Sequence, residues 1–71
     1  MPKYEIRKVV FINHENVESY PLDTDIVFDV YGVYHKEGDL RYWDADFDTL
    51  KQAELFVDFA INMEEDNHVK D

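Results

Sequence analysis

The stretch Leu40-Arg41-Tyr42-Trp43-Asp44-Ala45-Asp46-Phe47-Asp48-Thr49-Leu50-Lys51-Gln52-Ala53 decides the fold. Residues 40–47 alternate, with Leu40, Tyr42, Asp44 and Asp46 on one side and Arg41, Trp43, Ala45 and Phe47 on the other. Period two with aromatic side chains predicts a strand. The pattern changes at Asp48. Thr49 and Gln52 stand at capping-box spacing, and Asp48 suits the positive end of a helix dipole. Beyond it Leu50, Ala53, Phe56, Val57, Ala60, Ile61 and Met63 fall on one broad stripe, which predicts an amphipathic helix over 50–63. Leu55 and Phe59 widen the stripe, and Lys51, Glu54, Asp58, Asn62 and Glu65 form the polar face.

Upstream, residues 4–12 read as a first strand, with Tyr4, Ile6, Val10 and Ile12 opposite Glu5, Arg7, Val9 and Phe11. Residues 13–25 are polar, contain Pro21 and read as a long connecting loop. Residues 26–35 read as the second strand. Ile26, Phe28, Val30 and Tyr34 share one face, and Val27, Asp29, Tyr31 and Val33 the other. A strand apolar on both faces is central or covered by a partner. Gly32 inside it marks a bulge or a close backbone approach. His35-Lys36-Glu37-Gly38-Asp39 is a hairpin signal with Gly at a left-handed position.

The predicted fold class is therefore α+β: a three-stranded antiparallel sheet followed by one C-terminal amphipathic helix, β-β-β-α. Residues 1–63 form a single small domain, and 64–71 an acidic frayed tail. One helix covers one face of a sheet. The other is expected to carry Val27, Tyr31, Val33 and Trp43, with Val9 and Phe11 beside them. That second face is either a partner or self-association surface or a wet aromatic face.

Composition narrows the function. The 71 residues carry 17 acids against 7 Lys and Arg, a net charge of −10, yet 45% are hydrophobic and 15% aromatic. Disordered acidic tails lack such aromatics, so this is a folded domain with an acidic skin. Residues 62–71 hold four acids and one lysine, a net of −3, which leaves −7 on residues 1–61. The acidity belongs mainly to the folded part. Polyanions such as nucleic acid and anionic lipid are disfavoured as direct partners, and a basic protein surface is favoured. The chain has no Cys, and His14, His35 and His68 show no metal spacing, so neither a metal nor a cofactor is expected. No apolar leader or membrane-length run is visible, and a soluble cytoplasmic protein is expected.

Asp44-Ala45-Asp46-Phe47-Asp48 is the densest carboxylate pattern. A calcium loop fails on detail, with Thr49 where Gly is needed and Leu55 where Glu is needed. On a regular strand Asp44 and Asp46 would share a face about 7 Å apart, a spacing able to imitate phosphates along a nucleic-acid strand. The plain alternative is an acidic rim that blunts an edge strand and keeps the chain in solution. Tyr31, Tyr34, Tyr42 and Trp43 would suit base stacking, but that mode needs a basic groove. They fit a protein interface better. No nucleophile triad or Gly-rich phosphate loop stands out, so no enzyme is expected.

The stretch from Leu40 to Val57 resembles two phage-associated groups. One is the β-β-β-α arm domain of tyrosine integrases, whose helix starts at a similar Phe-x-Thr turn. That resemblance implies a sheet that holds DNA with basic residues, whereas Asp29, Asp44 and Asp46 stand here with reversed charge. The other is the small phage anti-CRISPR proteins, where a similar Asp-Phe-Asp-Thr step enters an amphipathic helix. That resemblance implies inhibition of a nucleic-acid-handling complex. The first expectation is thus a non-enzymatic inhibitor or adaptor docking on a basic protein surface. Asp44, Asp46, Asp48, Glu54 and Asp58 would supply charge, and Tyr31, Tyr42 and Trp43 the anchors. The alternative is a structural homodimer, closed through the second sheet face or through Leu55 and Phe59, whose acidity serves solubility.

Overall fold

The computed structural model describes residues 3–70, with side chains described over 4–63. The chain runs β1 (Lys3–Phe11), β2 (Val17–Pro21), β3 (Val30–Glu37), β4 (Leu40–Phe47) and α1 (Leu50–Lys70). The strands form one antiparallel sheet in the order β2-β1-β3-β4. The class is α+β with one C-terminal helix, but the sheet has four strands rather than three.

The added strand is β2, inside the segment expected to be a loop. Val17-Glu18-Ser19-Tyr20-Pro21 is polar because it is an edge strand, and Pro21 is tolerated at its end. The turn before it is an Asx turn: Asn13 Oδ1 accepts from the backbone N–H groups of Glu15 (2.9 Å) and Asn16 (3.0 Å). The next strand begins at Val30, not Ile26. Residues 22–29 instead cross β1 to reach the far side of the sheet. Lys8 Nζ donates to the Thr24 carbonyl at 2.6 Å and lies 5.2 Å from the Phe28 ring centre. Asp29 N donates to the Val9 carbonyl at 2.9 Å, and its carboxylate accepts from Phe11 N at 2.7 Å. Asp29 therefore satisfies a backbone donor at the end of β1. Val27 in this crossover is 95% exposed, so it belongs to neither sheet face.

The β3–β4 hairpin turns through Gly38, whose φ of +63° gives the left-handed residue that a tight hairpin loop needs. At the helix start Thr49 Oγ1 accepts from Gln52 N at 3.2 Å, the predicted cap. The helix continues to Lys70, past the end of the stripe at Met63. The acidic tail expected over 64–71 falls on side chains outside the described residues. Among the described residues no helix is long and apolar enough to cross a membrane.

Register assigns the faces. Lys8 pairs with Tyr31, Ile6 with Val33 and Tyr4 with His35. Across the next ladder Tyr31 pairs with Phe47 and Val33 with Ala45. Phe47 packs on Phe56 of α1 at 5.4 Å, so this is the helix side. Val33 and Ala53 are fully buried there. A fully buried valine side chain contributes about 1.5–3 kcal/mol. Tyr31 and Val33 were expected on the uncovered face and lie under the helix layer instead. A β-bulge explains the rest. Val33 pairs with Ala45 but Tyr34 pairs with Trp43, which leaves Asp44 as the extra residue. The bulge turns Trp43 to the open side with Tyr34 and Val9, away from Ala45 and Phe47. Simple alternation fails at that point.

Candidate functional site

Most predicted partner-binding residues lie on β4 and α1. At the bulge a shallow open depression of about 260 Å3 is lined by Trp43, Asp44, Ala45 and Asp46. The strand is an edge, so this hollow opens beside unpaired backbone.

Asp44 and Asp46 do not form the expected row. The Asp44 carboxylate meets His35 Nδ1 at 2.7 and 2.9 Å, on the helix side. Asp46 accepts from the Trp43 indole N–H at 2.6 Å, on the open side. The bulge separates them, because an inserted residue shifts the alternation by one. Two carboxylates predicted to share a face therefore border one edge from opposite sides.

Trp43 is 42% exposed and stacks on Tyr34 with ring centres 6.1 Å apart. Tyr42, also 42% exposed, stacks on His35 at 5.1 Å. Both aromatics thus present a supported ring beside the acids. Tyr31 does not join them. It sits half-buried on the helix side with its ring edge-on to Phe28 at 4.8 Å. Asp48 is exposed at the corner between β4 and α1, and Glu54 and Asp58 are exposed on α1.

Alternation did not single out His35, which the structure places at the centre of a cluster. Nδ1 faces Asp44, Nε2 lies 3.3 Å from Glu37, and Tyr42 and Tyr4 flank the ring. The hydrogen bond to Asp44 raises the His35 pKa above the ordinary 6.5. Burial opposes this, and the charges of Asp44 and Glu37 reinforce it. A His at a strand end before a Glu, nine residues from an Asp across a hairpin, was the available signal.

The open side has a second network. Arg7 bonds Glu5 at 2.8 Å, Ser19 Oγ at 2.9 Å and the Ser19 carbonyl at 3.1 Å, and Arg41 bonds Glu5 at 2.9 Å. Burial would raise the Glu5 pKa, but the hydrogen bonds and charges of Arg7 and Arg41 outweigh it and hold it below 4.5. Two arginines therefore sit on the open face, and the net acidity lies elsewhere, on loops, the β4 edge and the helix.

No protein-family model matches the chain, and neither a curated protein nor a solved structure matches it.

Proposed function

We propose that this chain is a small, non-enzymatic, acidic binding protein, an inhibitor or adaptor that docks on a basic protein surface of the kind that handles nucleic acid. One observation carries the reading. Among the described carboxylates, Glu5 alone is held by arginine. Among the described residues, Asp44 and Glu37 form ion pairs with His35 alone. Asp46, Asp48, Glu54 and Asp58 have no cationic side chain within ion-pair reach among the described residues. Such uncompensated charge repels itself within the fold and attracts a cationic surface. Trp43 and Tyr42 stand half-exposed beside it, the residue types that anchor protein interfaces. The reading rests on charge and anchors, since the bulge removes the phosphate-like row.

Electrostatic steering makes such binding salt-sensitive, chiefly through the association rate. The experiment is capture from a lysate of the source cells on the immobilised chain, eluted by a salt step and identified by mass spectrometry. The Asp44→Asn/Asp46→Asn double variant runs in parallel. A nucleic-acid-handling protein that elutes at moderate salt and is lost with the double variant supports the reading. Undiminished capture by the double variant overturns it.

The homodimer reading rests on exposed apolar side chains. On the open sheet face Val9 is fully buried and Tyr34 is 7% exposed, but Phe11, Val17 and Trp43 stay exposed. Leu55 and Phe59 on the helix are 58% and 63% exposed, and a dimer would close there.

A further inference from the structure

The solvent side of α1 carries an apolar ridge. Leu55, Phe59 and Met63 are 58%, 63% and 49% exposed. They stand at i, i+4 and i+8, so they line up along one side of the helix. Ala53 is fully buried and Phe56, Val57 and Ala60 are half-buried, which places the sheet contact on a different side. Glu54 and Asp58 run beside the ridge at the same spacing, both exposed, with Lys51 the cation of that sector among the described residues.

We propose that this ridge docks a basic amphipathic helix of a partner protein; this rests on the reading of the chain as a binder of basic surfaces. Charge selects the occupant. A second copy would bring another chain of net charge −10, with its own Glu54 and Asp58, against the same surface. Like charges across an interface disfavour that pairing. Area points the same way. The three side chains together expose roughly 300 Å2, against ~800 Å2 on each side of a stable interface. Lys and Arg of a basic helix supply the remainder: their alkyl stems lie along the ridge while their charged heads reach Glu54 and Asp58. Apolar side chains at i and i+4 on the partner would interleave with Leu55 and Phe59 as ridges into grooves.

The probe is a synthetic amphipathic helical peptide with Leu along one face and Lys and Arg on its flanks. Its companion carries Glu at every Lys and Arg. Each is titrated into the isotope-labelled full chain and followed by NMR. The basic peptide is expected to shift Leu55, Phe59 and Met63 and to leave Phe11 and Val17 unmoved, while the companion shifts none. Leu55→Glu and Phe59→Glu, at exposed positions that keep the circular dichroism unchanged, should each weaken binding about tenfold or more. Equal binding of both peptides, shifts confined to Trp43 and its neighbours, or affinity unchanged in both variants overturns the proposal. A dimeric mass for the free chain that falls to monomer with Phe59→Glu also overturns it and assigns the ridge to a second copy. Lysate capture that is lost with Asp44→Asn/Asp46→Asn but kept with Phe59→Glu overturns the ridge proposal alone. Capture undiminished by Asp44→Asn/Asp46→Asn overturns the docking reading, and with it the ridge proposal that rests on it.

Discussion

On the helix side of the sheet, Val33 is fully buried because Ala53 and the rest of α1 lie over it; on the open side, Val9 is buried as completely with no covering element among the described residues. The difference lies in Gly32. A side chain there would put its Cβ 2.6 Å from Val9 Cγ2, 3.0 Å from Tyr34 Cε1 and 3.2 Å from Trp43 Nε1. Without one, Tyr34 and Trp43 fold down over the strand and roof Val9. The Arg41–Glu5–Arg7–Ser19 network borders this roof. One face is closed by a second layer and the other by large side chains lying over a glycine. The open face therefore closes over Val9 with its own side chains, while Trp43 and the cross-strand pair Phe11 and Val17 on the same face stay exposed. Exposed apolar area also collects at the helix ridge and along β4.

The comparison breaks most sharply at Gly32. Gly32→Ala should cost about 2–3 kcal/mol, because Val9 and Tyr34 are already buried and cannot yield. The denaturant midpoint should fall accordingly. A midpoint unchanged from the parent would mean that the open face is loosely packed after all.

Arg7→Ala should cost about 1 kcal/mol at neutral pH, since it strips Glu5 and Ser19 of a shared donor. The pH dependence has a definite sign. Glu5 is held below 4.5, so its pairing stabilises the fold above that value and is lost as pH falls through the lowered folded value. The gap between variant and parent should close in acid. A gap that is constant with pH would assign the loss to packing of the Arg7 stem alone.

The smallest effect concerns the rim of the helix side. His35 should titrate above 6.5 by NMR, and Asp44→Asn should bring it back towards that value. The sign is opposite to that of Glu5. A raised histidine pKa contributes stability that is complete below the unfolded value and is lost as pH rises through the folded one. An unchanged His35 titration in Asp44→Asn would remove Asp44 as the cause.

Much of this arrangement was legible beforehand. The Phe47–Asp48–Thr49 step gave both the strand end and the helix cap, because alternation and capping are local properties. Gly38 announced the hairpin for the same reason. The site was legible only in part. Trp43, Asp44 and Asp46 do border one hollow, but alternation placed the two aspartates on one face, and Tyr31 with Trp43. A β-bulge leaves no mark in the period of a sequence, and it reverses every assignment on one side of it. β2 escaped because a polar edge strand reads like a loop until a neighbour supplies its hydrogen bonds.

The sequence by itself determined the class, the turn and cap positions, the helix stripe and the excess of negative charge. These follow from nearest-neighbour chemistry and composition. Only the tertiary structure decided that Asp29 caps β1, that His35 gathers Asp44 and Glu37, and that Gly32 lets the open face close on itself. Each of those depends on which strands become neighbours and in what register. Register is set by the burial of whole faces, and no single segment carries it.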